Sequence, residues 1–201
     1  MISLPDQQGG EGDEVCTWFV DASEARHTYK RVCAANPDLS GLSLQIMGLG
    51  DAFGICGGWA DDERPPSESA LRLQGASSLV KPVEPQLIEA LERDGLGAGT
   101  WRLPVFIGEE LAQAAQGSED GTMTHLPIFL SPYELRDAYE KYNVPKHAYE
   151  RGPKTMDLRS LVANMLAAPE EYPNPWRAVE FVPTRAAIEL AQELAKERAS
   201  T

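Results

Sequence analysis

Short apolar runs and helical stripes alternate along this chain, and one junction between them sets the pattern. Pro127-Ile128-Phe129-Leu130 predicts a buried strand that runs directly into a helix. Ser131 stands at the N-cap, Pro132 at the first helical position and Glu134 at the third, a capping box with proline where it is tolerated. Leu135, Ala138, Tyr139 and Tyr142 then recur at helical spacing and predict one apolar face. The same junction stands 110 residues earlier. Trp18-Phe19-Val20 is the strand, Asp21 the cap and Glu24 its box partner, with Ala25, Thr28, Tyr29 and Val32 on the packed face. Phe, Glu, Arg and Tyr are identical at 19/129, 24/134, 26/136 and 29/139. A strand-helix unit is used twice.

Taken in order, residues 1–14 predict an acidic flexible tail. A strand over 15–20 and a helix over 22–35 follow, and Asn36-Pro37 stops the helix because a residue before proline avoids helical backbone. Alternation over 42–47 predicts a second strand, with glycine-rich loop on from Gly48 and a polar connection over 61–69. Leu71-Arg72-Leu73 predicts a third strand, and Pro85 to Arg93 a helix with Leu87, Ile88 and Leu91 on one side. Gly95, Gly97 and Gly99 mark residues 95–100 as a linker, so that 15–94 and 101–201 form two lobes. The second lobe opens on a strand at Leu103 to Ile107. For residues 109–115 propensity favours a helix and position favours a hairpin arm. Residues 117–121 predict a turn, and a loop runs from the central helix to Pro153. Asp157 caps a helix striped by Leu158, Leu161, Val162, Met165 and Leu166. After a rigid loop over 169–175, Val179 to Val182 is a strand. Thr184 caps a last helix with Ile188, Ala191, Leu194 and Ala195 facing inward.

The repeat continues through the loops with small drifts. Met47-x-Leu49 matches Met156-x-Leu158 at an offset of 109, and Leu71-x-Leu73 matches Val179-x-Phe181 at 108. Strands alternating with helices in both halves predict an α/β (or α+β) fold, with two pseudo-symmetric sheet-and-helix lobes about an approximate two-fold axis.

Composition narrows the partners. At 42% apolar and 24% charged residues, the 201-residue chain has enough apolar side chains for a sizeable core. Its formal net charge of −13 argues against nucleic acid or anionic lipid and favours basic partners. No run is long and apolar enough to predict a membrane span, so membrane contact is expected only through partners. Cys16, Cys33 and Cys56 form no C-x-x-C pair, and no zinc site or other metal site is expected.

Chemistry is sparse. Gly48-x-Gly50-x-x-x-Gly54 is one residue too long for a dinucleotide fingerprint, and Walker, zincin and nucleophile-elbow motifs are missing. Ser77 and Ser78 follow Gly75 without a nearby histidine in sequence. His27, His125 and His147 fall on a helix surface, before a strand and in a loop. Neither an enzyme nor a cofactor is expected. Trp18, Trp59, Trp101 and Trp176 sit at element edges or in loops, and Trp176 stands on a proline-bounded loop before the strand that carries Phe181. Trp176, Phe181, Trp101 and Trp18 are the candidate polypeptide-binding residues.

Several of these segments carry a family resemblance. Leu103-Pro104-Val105-Phe106-Ile107, Leu126-Pro127-Ile128-Phe129-Leu130-Ser131 with its Glu-Leu helix, Asp157-Leu158-Arg159-Ser160-Leu161 and Val179-Glu180-Phe181-Val182-Pro183 resemble the Tic twenty-two family. These are soluble components of the chloroplast inner-envelope protein translocon and cyanobacterial relatives. Trp18-Phe19-Val20, Asn36-Pro37 and Met47-x-Leu49-Gly50 fit the family's earlier repeat. The resemblance implies a butterfly-like pair of lobes, no enzymatic activity and chaperone-like contact with client preproteins. It also implies a place in the plastid, in the intermembrane space or peripheral to a membrane, with the presequence not included here. A peripheral structural subunit of a plastid membrane complex, a photosystem or a translocon, is the alternative. Two departures stand out: the acidic leader replaces the strand expected before Val15, and residues 54–69 look like an insertion.

Overall fold

The computed structural model describes residues 2–4, 15–38, 42–56, 70–97, 99, 101–111, 125–150, 152–167, 176 and 178–199. Among them are seven strands and seven helices in mixed order. They are β1 (Ile2–Leu4), β2 (Val15–Phe19), α1 (Ala22–Ala35), α2 (Leu49–Ile55), β3 (Ala70–Gln74), α3 (Ser77–Arg93) and β4 (Pro104–Ile107), followed by β5 (Leu126–Phe129), α4 (Pro132–Lys141), α5 (Lys146–Tyr149), β6 (Lys154–Asp157), α6 (Leu158–Ala167), β7 (Val179–Val182) and α7 (Arg185–Ala199). The fold is mixed α/β, as the alternation of patterns predicts.

Two compact units interleave in sequence. One comprises Met1–Ser78, Thr100–Leu103 and Arg185–Thr201; the other comprises Leu79–Gly99 and Pro104–Thr184. The division expected at the glycines is contiguous, whereas here the helix after the second strand of each parallel pair is counted in the other unit: α3 beyond Ser78, and α7.

The first unit holds a sheet in the order β1-β2-β3. β2 and β3 run parallel with Trp18 beside Leu73 and Phe19 beside Gln74. β1 runs antiparallel to β2 and pairs Ile2 with Thr17. A strand therefore stands inside the stretch expected to be a tail, and it precedes Val15 where the leader was expected to replace it; residues 5–14 lie outside the described residues. Ala22, Val32, Phe53, Leu73, Trp101, Leu103 and Leu190 are buried here. Residues 42–48 form no ladder, which corrects the strand expected there, and α2 forms from Leu49 where a glycine turn was expected. Their anchor is Tyr29, whose hydroxyl donates to the Leu42 carbonyl at 3.0 Å. The expected insertion lies mostly in residues 57–69, outside the described residues.

The second unit holds a sheet in the order β6-β4-β5-β7, with β5 and β7 parallel and the other pairs antiparallel. Ile128 lies beside Phe181 and Phe129 beside Val182. These are the residues that the offsets of 110 and 108 put in the places of Trp18, Leu73, Phe19 and Gln74, so strand register repeats along with sequence. α2 and α6 likewise begin at Leu49 and Leu158, the pair matched at an offset of 109. Phe106, Phe129, Leu135, Tyr139 and Val144 make one apolar cluster. β6 occupies the residues just after the expected loop, where the pattern gave no strand.

Several helix faces and ends differ from the pattern. α3 begins eight residues earlier than Pro85 and carries Pro82 and Pro85 inside it. In α7 the buried residue is Leu190, and Ala191 and Leu194 are half-buried, while Ile188 is 43% exposed and Ala195 is exposed. The inward stripe thus keeps two of its four expected members and is rotated by a fraction of a turn. Tyr142 and Leu166 end their stripes in solvent at 60% and 69%. Residues 109–111 are helical, and the rest of that ambiguous segment lies outside the described residues.

Candidate functional site

Glu24 is the side chain around which the first unit's surface chemistry gathers. α1 starts where the strand pattern ends, with extended backbone at Asp21 and its carboxylate accepting the Glu24 N–H at 2.7 Å. The other half of the expected capping box does not close. Instead the Glu24 carboxylate reaches across to the start of α3, accepting the Ser77 N–H at 2.8 Å and the Ser77 hydroxyl at 3.2 Å. The Gln74 amide donates to the same carboxylate at 3.3 Å and to Ser77 Oγ at 3.2 Å. An acidic side chain on a helix's first N–H groups is favoured by the unpaired donors and the dipole there.

These residues border a cleft of about 450 Å³. Ser23, Glu24, His27 and Thr28 form one wall along α1. Phe19 and Gln74, neighbours on the last rung of the parallel pair, form the floor, and Ser77 forms the opposite wall. Grooves at the carboxyl ends of adjacent parallel strands are where open α/β sheets place ligands. The spacing 23, 24, 27, 28 was visible as a helical edge in the sequence, but its meeting with Gln74 and Ser77 rests on a crossover of some fifty residues that local patterns do not encode. His27 lies in this cleft with Ser77, the histidine that sequence proximity did not provide. The Ser77 hydroxyl is bonded to a carboxylate rather than to an imidazole, so the nucleophile-base-orienter order of a hydrolase is not assembled.

The four candidate aromatic residues have separate fates. Trp101 is only 7% exposed and meets Phe53 edge-on, with ring centroids 5.9 Å apart. That packing removes it from any contact surface, correcting its place among the binding candidates. Trp18 is half-buried in β2, and its indole N–H is buried with no acceptor among the described residues. Trp176 and Phe181 are half-buried in the second unit, Phe181 beside Ile128 on the parallel ladder. Trp59 lies outside the described residues. His147 sits in the short helix α5 rather than in a loop, and His125 stands 3.9 Å from Glu180 with both exposed.

No helix among the described residues is long and apolar enough to cross a membrane. No group of three or more His, Cys, Asp or Glu side chains among them gathers as a metal site would require.

In the second unit, polar chemistry converges on residues 94–99. Asp157 is fully buried and accepts from both the Arg159 N–H at 2.9 Å and Arg159 Nε at 3.3 Å, the cap expected for α6. Arg159 Nη1 reaches the Gly97 carbonyl at 3.4 Å, and Ser160 donates to Asp94 at 2.8 Å. Gly95 is a helix terminator: at φ 74° it lets Leu96 N–H bond the Leu91 carbonyl and its own N–H bond that of Glu92, a Schellman ending to α3. The glycines expected to be a loose linker are tied down by α3 and α6.

No protein-family model and no curated protein sequence matches the chain, so what it shares with known proteins lies in the fold. Two solved structures share it. Tic22 from Plasmodium falciparum aligns with a TM-score of 0.57 over 94% of this chain and 86% of its own, at 13% identity. Anabaena Tic22, described as a protein-transport protein, aligns with a TM-score of 0.51 over 96% of this chain and 86% of its own, also at 13% identity. The resemblance to the Tic twenty-two family read from the sequence thus holds at the level of architecture: this chain has the Tic22 fold.

Proposed function

We propose that this protein is a non-enzymatic, chaperone-like polypeptide-binding component of a protein-transport route, working in a plastid translocon setting. The observation that carries the reading is the shared fold along nearly the whole chain with a protein described as serving protein transport. The net charge of −13 supports basic protein partners over nucleic acid. Half-buried aromatics, Trp176 and Phe181 on one unit and Trp18 on the other, offer apolar contact without unfolding the core.

The test is suppression of aggregation. Chemically unfolded citrate synthase is diluted into buffer with the protein, and light scattering is followed. Suppression is expected, with loss of most of it in Trp176→Ala and Phe181→Ser while circular dichroism stays native. Unchanged scattering in the presence of the wild-type protein refutes the reading. Fractionation of a native membrane on a detergent gradient separates it from its alternative: stoichiometric co-migration with one assembly marks a peripheral structural subunit.

A further inference from the structure

The cleft over Phe19 has a sign. Grooves at this place in a parallel sheet ordinarily suit anions, because helix N-termini point their unpaired N–H groups into them. Here the protein's own carboxylates fill those positions: Asp21 takes the Glu24 N–H of α1, and Glu24 takes the Ser77 N–H of α3. An incoming anion would meet the Glu24 carboxylate on the cleft wall, with the first N–H groups of both helices already taken.

The same arrangement leaves acceptor capacity on a carboxylate that lines the cleft. A carboxylate offers about four acceptor positions. Glu24 has three filled, by Ser77 N–H, the Ser77 hydroxyl and Gln74 Nε2. Those bonds hold it rigidly, so a cation pays little to find it in place. The Phe19 ring at the floor suits the aliphatic stem of a long basic side chain or the flat face of a guanidinium. Ser23 and Thr28 on the wall add hydroxyl acceptors. The volume, about 450 Å³, falls in the range of side-chain and small-ligand pockets, about 300–1,000 Å³. The chain as a whole carries 31 acidic against 18 basic residues, so its net charge favours association with cations over anions.

The geometry points to this cleft as a receptor for a basic side chain, arginine foremost, presented by a bound polypeptide. The inference rests on the polypeptide-binding reading and adds to it the identity of the residue that one unit recognises.

Two fluorescein-labelled peptides test it, identical except that every arginine in one is citrulline in the other, which keeps shape and removes charge. Anisotropy titration of the wild-type protein is expected to favour the arginine peptide by about tenfold, the weight of a cation held between a ring and a carboxylate. Ser23→Lys, which sets a positive charge on the exposed first turn of α1, is expected to erase the preference, and Glu140→Gln, the same change in net charge at an exposed position that does not line the cleft, to keep it. Should Ser23→Lys not fold by circular dichroism, His27→Lys on the same wall takes its place. Equal affinity for both peptides, a preference that survives the lysine, or its loss in Glu140→Gln overturns the assignment. Aggregation suppression without arginine preference sinks the cleft alone; neither activity in the wild type sinks the polypeptide-binding reading with it.

Discussion

At the scale of single residues, Tyr139 shows how burial and one hydrogen bond set a pH limit. Its ring is 3% exposed and stacks on Tyr149 at 4.8 Å, and its hydroxyl donates to Glu110 at 2.6 Å. Burial first, then the bond to Glu110, holds the phenol well above its ordinary value. A raised acid keeps its proton in the native state while the unfolded chain loses it from about pH 10 upward. Stability from this group is therefore complete below pH 10 and declines as pH climbs beyond it. Tyr139→Phe is expected to cost about 1–2 kcal/mol at neutral pH and to flatten the alkaline loss, read from urea midpoints at pH 8 and pH 11. A wild-type curve no steeper than the variant's contradicts it. The cap at the end of α4 is also a residue-scale matter: Asn143 takes φ 54° so that Val144 N–H can bond the Tyr139 carbonyl, and Val144 is thereby buried in the same cluster.

At the scale of elements, the two strand-helix junctions look alike in sequence and differ in bonding. Asp21 caps α1 through its side chain, whereas Ser131, with the same extended backbone and proline after it, makes no side-chain cap. Asp21→Ala is expected to cost about 1 kcal/mol, and Ser131→Ala near zero, by chemical denaturation. Equal costs at the two sites refute this account. The junctions themselves were legible because caps, proline and stripe are local signals that agree. The strand expected over 42–47 failed because alternation only proposes a strand, and a ladder needs a partner edge. β6 was missed for the converse reason: Lys154-Thr155-Met156-Asp157 has little apolar alternation, and its strand state comes from antiparallel pairing with β4. The early turns of α3 were hidden by Pro82 and Pro85, which read as breakers.

At the scale of the whole molecule, the repeat was readable and the division of the chain was not. Offsets of 110 and 108 name strand partners that the ladders reproduce, since register follows the buried pattern. Which unit a helix joins depends on packing between segments far apart in sequence, and no local signal carries that. α7 makes the point: it follows β7 of the second unit, yet it packs with α1 and pairs Glu193 with Arg26 there. That ion pair is exposed and contributes little, so the apolar contact must do the holding. Leu190 is the buried residue of α7. Leu190→Ala is expected to cost about 2–4 kcal/mol, and native-state hydrogen exchange locates the damage. Contiguous lobes would open β7, the neighbour of α7 in sequence, and β5, the strand paired with it. The interleaved units instead require faster exchange in α1 and β2, more than 150 residues earlier in the chain, with β5 and β7 left protected.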